Sequence, residues 1–505
     1  MSQDKEFSML QSPSTARFIA LGGMIAVALA IPATAQGQCE AHERVKLNAS
    51  SPEVGSNYGR AVAAFGDLIV IGARGSTFVS LDGAVFVHRL QSGSWIEQAR
   101  LIRPPGPGGF RFGHAVAVHG DTIVVGAPFE SIGGVATGVA YVYRFDGSTW
   151  SWQATLTAST GAVDDKFGDA VSIYGEVVVI GASGKDGAGI DSGSAYIYRF
   201  DGSAWVEEIE LHSSNGGERD AFGSAVSISG DVAVVGAWNN DNTGRTSGGD
   251  GRGAAYVFRF DGQEWSEEAR LVSADPAPGE RDGFGQAVSL DGNVLLVGTR
   301  PSSKAGLNIY PAGSAYVFRN VAGRWASEAK LVAHDGFGND RFGYSVSLKG
   351  DVAVIGTPWV TMGTNCPCRC PWARSCRDGA AYLFRRDGAG WTERAKLTSS
   401  DLGEDDYFGT SVAVTETFAV AGAFGHDVPN RPSIGAAYVF SVIGVCCYAD
   451  CDQSTGFGVL DIFDFLCFQN SFVLGDPYAC DCDPDPACDI FDFLCFQNAF
   501  VAGCL

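Results

Sequence analysis

The residues of this chain best placed to do chemistry are carboxylates near its C-terminus. Residues 446–505 hold ten Asp and nine Cys, with no Lys, Arg, His or Glu. The segment is a duplication: Asp461-Ile462-Phe463-Asp464-Phe465-Leu466-Cys467-Phe468-Gln469-Asn470 recurs at 489–498, and an Asp-Cys-Asp triplet opens the loop before each copy. Calcium takes roughly six to eight oxygen ligands, which a loop of about 12 residues supplies from alternating positions and a closing carboxylate. The second copy offers Asp481, Asp483, Asp485, the Ala487 carbonyl, Asp489 and Asp492, with Pro486 where such loops ordinarily turn on glycine. The first copy is longer and offers Asp450, Asp452, Ser454, the Gly456 carbonyl, a water near Gly458 and Asp461; Asp464 replaces Asp461 if the insertion bulges out. The alternative is an unstructured acidic tail, because without calcium so many carboxylates would repel and loosen the segment.

Elsewhere the chemical signals are sparser. Cys366, Cys368, Cys370 and Cys376 crowd one loop and could hold zinc, but the spacing is cramped for a metal and favours disulfides in an oxidising compartment. The seven histidines form no H-E-x-x-H array, and no nucleophile elbow, phosphate loop or dinucleotide fingerprint occurs, so no catalytic residue is assigned. Asp165, Asp220, Asp282, Asp340 and Asp406 each stand two residues before a Phe-Gly pair. Such carboxylates could line a cation or basic-ligand site, or each could cap its own turn. Asp186, Asp191, Asn239, Asn240, Asp241 and Asp250 lie in long connections and are the candidate partner-binding residues.

The elements that must position these groups follow from a repeat. Seven units run from about Glu43 to Val442, marked first by Tyr58-Gly59, Phe112-Gly113, Phe167-Gly168, Phe222-Gly223, Phe284-Gly285, Phe342-Gly343 and Phe408-Gly409. A second landmark is a Gly-Ala or Gly-Thr pair, from Gly72-Ala73 to Gly422-Ala423. Within one unit, Ala225 to Ile228 alternates, Gly230-Asp231 turns, and Val232 to Val235 follows, a hairpin pattern that predicts a type II′ turn. Ala255 to Arg259, an Asp261-Gly262 turn predicted as type I′, and Trp265 to Leu271 complete four strands. Trp95, Trp150, Trp205, Trp265, Trp325 and Trp391 each open a fourth strand, but the seventh unit ends at Tyr438-Val439-Phe440 without one. Glu43-Arg44-Val45-Lys46-Leu47 matches the missing piece, so strand 43–47 is predicted to close the last blade and the ring. The recurring aromatics are assigned to packing between blades rather than to a ligand cage.

The fold class is therefore all-β: a seven-bladed β-propeller of four-stranded antiparallel blades, plus a small C-terminal duplicated calcium loop–helix module. In such blades the first and third turns share one face, and the long connections and inter-blade links share the other, which is where a partner is expected. At the N-terminus, Lys5 and Arg17 precede an apolar run from Phe18 to Ile31 and an Ala33-Thr34-Ala35 cleavage pattern. The run is short for a membrane span, so residues 1–35 read as a signal peptide, 36–442 as the propeller and 446–505 as the tail. The mature chain is expected to be secreted or cell-surface, with no membrane span. A formal charge of −22 argues against a nucleic-acid partner.

The landmarks resemble the FG-GAP repeats of integrin α-subunit propellers and of exported bacterial proteins. In integrin-type propellers, the resemblance implies, an Asp-rich loop inserted in a hairpin binds calcium; here the matching hairpins are short turns such as Gly120-Asp121 and Gly350-Asp351. The duplicated tail resembles dockerin domains, which implies calcium as its cofactor and a cohesin-like or cell-surface anchor as its partner. Together these readings predict a non-enzymatic binding or adhesion protein that recognises an extracellular protein or glycan. The alternatives are an exported polysaccharide-acting enzyme with a docking tag, and a structural envelope component.

Overall fold

The computed structural model describes residues 41, 43–51, 55–75, 82–105, 111–240, 251–273, 282–299, 312–360, 377–388, 390–401, 403–427 and 433–442. The expected signal peptide, the tail with all its calcium ligands, every cysteine, Asp241 and Asp250 lie outside these residues.

The described residues form seven four-stranded sheets, each antiparallel throughout, and contain no helix. Six blades are contiguous in sequence. Their inner strands are Tyr58–Phe65, Ala115–His119, Phe167–Tyr174, Ala225–Ser229, Ala287–Asp291 and Ser345–Lys349. The seventh runs from Ser411–Val414 through Phe418–Ala423 and Ala436–Ser441, and its outer strand is Glu43–Leu47. Val45 pairs with Val439, Lys46 with Tyr438 and Leu47 with Ala437, so the predicted closure is present.

One contact shows that the displaced strand is equivalent to the others. The outer-strand glutamate of a blade accepts the backbone N–H and the hydroxyl of a serine on the preceding blade, as Glu207 does from Ser159 and Glu267 from Ser214. Glu43 accepts the same pair from Ser400, and Glu97 accepts it from Ser50, just after the closing strand. The seam repeats the chemistry of an ordinary blade boundary.

The core consists of layers between neighbouring blades. Second strands such as Val232–Ala237 and Val177–Ala182 are buried at every residue, which explains their unbroken apolar runs. Outer strands such as Trp205–Leu211 alternate instead, because one side meets solvent. The layer joining blades 7 and 1 packs Tyr58 and Ile71 of blade 1 against Leu47, Phe418, Val420 and Val439 of blade 7. The Trp residues belong to these layers: Trp95 meets the Phe418 ring edge-on at 4.9 Å, and Trp205 Nε1 donates to Gln153 of the preceding blade at 3.1 Å.

The aromatic-Gly landmark is the centre of a turn. His114 N–H donates to the Arg111 carbonyl, and the same bond spans the pair in every blade, to Thr410 and Tyr407 in the last. Gly113 sits at φ +85°, the left-handed value required of the third residue of a type II turn. The glycine of the second landmark has a different reason. A methyl group on Gly236 would collide with the Gly285 carbonyl oxygen of the next blade, and Gly422 meets Gly59 in the same way across the seam.

The hairpin turns divide by residue. Gly230 at φ +62° followed by Asp231 fits the predicted type II′ turn. At Asp261-Gly262 the predicted two-residue type I′ turn is absent. Only Gly262 has positive φ, and the connection lengthens because Asp261 Oδ1 accepts the N–H groups of Gln263 and Glu264. Asp146 and Asp201 cap in the same way. Type I′ geometry, with both central φ values positive, occurs instead at Ser92-Gly93 and Ala322-Gly323. A carboxylate that can bond its own backbone redirects the turn.

Candidate functional site

The antiparallel order sends the hairpins to one end of the ring and the longer connections to the other. On the latter, the turn aspartates are structural. Asp165, Asp220, Asp340 and Asp406 are buried. Their Oδ2 atoms accept the N–H three residues earlier, from Ala162, Gly217, Phe337 and Gly403, at 2.7 to 2.9 Å. Three of them also meet a side chain from the connection after the second strand: Lys185 at 3.4 Å, Asn240 at 2.5 Å and His426 at 3.0 Å. These carboxylates lock two loops together, which is the turn-capping alternative rather than a cation ring. Asp282 is half-buried in the corresponding turn.

The candidate partner residues separate in the same light. Asn240 is fully buried, whereas Asn239 is half-buried and donates to the Arg219 carbonyl at 2.7 Å. Asp186 Oδ1 accepts the Asp191 N–H at 2.9 Å, shaping an exposed loop tip. Beside that tip lies a cavity of about 320 Å³ lined by Ser192, His212 and Ser213 among glycines. Ser194 Oγ is 3.2 Å from His212 Nδ1, and Glu210 Oε1 is 3.8 Å from His212 Nε2. Ser194 is fully buried in its strand, so this hydroxyl presents no attacking oxygen to the cavity. Among the described residues, no group of three or more His, Cys, Asp or Glu converges as a metal would require.

At the inner rim of the same end, the residues flanking the aromatic-Gly turns form a cationic and aromatic cluster. Arg60 follows Gly59, Arg111 precedes Phe112 at φ +70°, and Arg74 follows the Gly72-Ala73 pair; all three are half-buried. Arg60 lies over the Phe424 ring at 4.8 Å and Arg111 over Phe129 at 4.2 Å. Tyr407 stacks on Phe424 at 5.0 Å, extending the aromatic floor within blade 7. Burial, followed by the charges of Arg60 and Arg111, draws the Arg74 pKa down to about 10. Arg111 is also lowered, by burial first and then by Arg60, against an opposing pull from Asp169. The carboxylate that acts on Arg111, Asp169, is hydrogen-bonded elsewhere: Oδ1 lies 3.1 Å from His114 Nε2, and Oδ2 accepts Ser183 Oγ at 2.5 Å. His114 lies below its ordinary pKa, through burial first and then Arg74 and Arg60, against the pull of Asp169; its Nδ1 is buried without a hydrogen bond.

This cluster is absent from the expectations drawn from sequence, which rest on carboxylates in long loops. The signal was present in the columns beside the two landmarks, where Arg60, Arg74 and Arg111 stand within a few residues of glycines that had already marked the rim.

The FG-GAP repeat profile matches residues 42–88, 95–143, 150–198, 205–258, 265–318, 325–384 and 391–440. The chain belongs to the FG-GAP repeat family. Each matched unit starts on the outer strand of one blade and ends on the third strand of the next, so sequence repeat and structural blade are offset by one strand. No curated protein matches the chain.

Proposed function

We propose that this chain is an exported, non-enzymatic binding protein whose long-connection face recognises an extracellular protein or glycan. The C-terminal segment folds around calcium through its two Asp-rich loops and anchors the propeller to a cohesin-like partner or cell surface. An FG-GAP propeller fits a binding or adhesion role. The observation that carries the reading is the division of labour between the two ends of the ring. One end consists of short hairpins, while the other gathers the variable connections and the arginine–aromatic rim on a frame locked by buried aspartates. Rigid support under variable loops lowers the ordering cost of recognition.

The test is an array of glycans and matrix proteins probed with the full chain in calcium. Retention of a partner, reduced about tenfold or more by Asp186→Ala with Asn239→Ala and without turnover of the bound glycan, is expected. Turnover, or retention of no array member, overturns the reading.

A further inference from the structure

We propose that the rim cluster of Arg60, Arg74 and Arg111 is an oxyanion-binding site. Its ligand is a compact anion: a carboxylate, sulfate or phosphate group on a small acid or at the end of an oligosaccharide. The inference rests on the long-connection face being the binding face and supplies the ligand chemistry of that face.

Three observations point to an anion. First, the backbone brings the three together: Tyr58 pairs with Ala73 and Ala61 with Gly72, which sets Arg60 beside Arg74, and the carbonyls of Arg74 and Phe112 both close over Gly83, which brings Arg111 to the same place. There the guanidinium groups act on one another as like charges. Holding like charges together in a half-buried place is unfavourable in the empty protein and becomes favourable when an anion lies among them. Second, none of the three forms an ion pair or side-chain hydrogen bond with a described residue; ring faces support Arg60 and Arg111 instead. This contrasts with the third strands, where Arg199 and Arg259 are bonded to Glu208 and Glu268 of the adjoining outer strands. A chain with 57 acidic and 35 basic residues has acids to place beside its arginines, yet Asp169, the one at hand, is turned to His114 and Ser183. Third, planar guanidinium forks suit the paired oxygens of carboxylate, sulfate and phosphate.

Size follows from the charge of the whole. A long polyanion would bring many charges against a protein of formal charge −22, whereas a group with one to three charges meets mainly the local cations. Arg60 itself lies on Tyr58–Phe65, the inner strand of blade 1. The cluster therefore looks toward the ring axis, where a slender end group fits better than a broad surface.

The experiment is calorimetry of the full chain with sodium sulfate, sodium citrate and a uronate-terminated oligosaccharide at low ionic strength. Wild type, Arg74→Gln, the double variant Arg60→Gln with Arg111→Gln, and Arg219→Gln are compared. Arg219 is an exposed arginine on the same face, outside the cluster. Saturable binding of at least one probe, weakened about tenfold or more by Arg74→Gln and by the double variant but not by Arg219→Gln, is expected. Thermal scans guard against misfolding: without anion, Arg74→Gln is expected to melt no lower than wild type, and to lose the rise in melting temperature that the anion produces. Binding of no probe, or equal binding by all four proteins, overturns the proposal. Tighter binding of the oligosaccharide than of citrate assigns the anion to a glycan end, and the reverse assigns it to a small acid. A partner retained on the array with no anion binding removes this proposal alone. Anion binding with an empty array removes the wider reading of the face.

Discussion

His88 occupies the place in blade 1 that Tyr143, Tyr198, Phe258, Phe318, Phe384 and Phe440 hold in the other blades, opposite the second residue of the neighbouring strand. It is 3% exposed, its Nδ1 has no hydrogen bond, and burial lowers its pKa to about 4 against a weaker opposing pull from Glu97. The folded state therefore resists protonation that the unfolded chain accepts near pH 6.5. Stability should fall as pH drops from about 6.5 toward 4, and the penalty should be fully present below that window. His88→Phe is expected to stabilise blade 1 by about 1 kcal/mol at pH 7 and by about 2–3 kcal/mol more at pH 4.5. Urea midpoints at the two pH values check this; an unchanged difference between them would refute it. At the second landmark, Gly236→Ala should cost roughly 1–3 kcal/mol, because the obstacle is the Gly285 backbone rather than a movable side chain. Gly230→Asn should cost about 1 kcal/mol although Gly230 faces open space, because φ +62° at the first central position of a type II′ turn strains any side chain.

Among the elements, the closing strand carries the most consequence. Beyond its ladder to Ala436–Ser441, Lys46 Nζ bonds Asp401 at 2.5 Å and lies 2.7 Å from His426 Nε2, joining the strand to two loops of the long-connection face. A chain starting at Asn48 leaves Ala436–Ser441 as an open edge, which invites pairing between molecules. Light scattering should show self-association and thermal scans a lower midpoint, both reversed by adding a peptide of residues 41–51. A monomer of unchanged stability would contradict the closure. The number of strands per unit, the Gly-Asp turns and this displaced strand were legible in the repeat, because period-two alternation and Gly landmarks record local geometry. The Asp-Gly turns were misjudged for a physical reason: dipeptide type predicts backbone preference, while the hydrogen bonds of the Asp261 carboxylate depend on its own side chain.

For the whole molecule, the proposal divides recognition and attachment between two parts. If the tail folds on calcium, the full chain should show two saturable calcium sites, and Asp481→Asn with Asp492→Asn should remove one of them. Chelation should leave the β-sheet circular dichroism of the propeller unchanged while releasing the anchor. Calorimetry and circular dichroism on the full chain check both. Absence of saturable calcium heat would withdraw the tail's role without touching the ring.

The sequence alone determined the number of blades and the closure, because each is written in a local repeat: where glycines must stand, and which strand is missing from the end. The buried roles of Asp220 and Asn240, and the meeting of Arg60, Arg74 and Arg111, were decided only by tertiary structure. A carboxylate reads alike in sequence whether it faces water or locks two loops. The three arginines are spread over 52 positions of chain and become neighbours only when blades 1 and 2 pack side by side around a common axis.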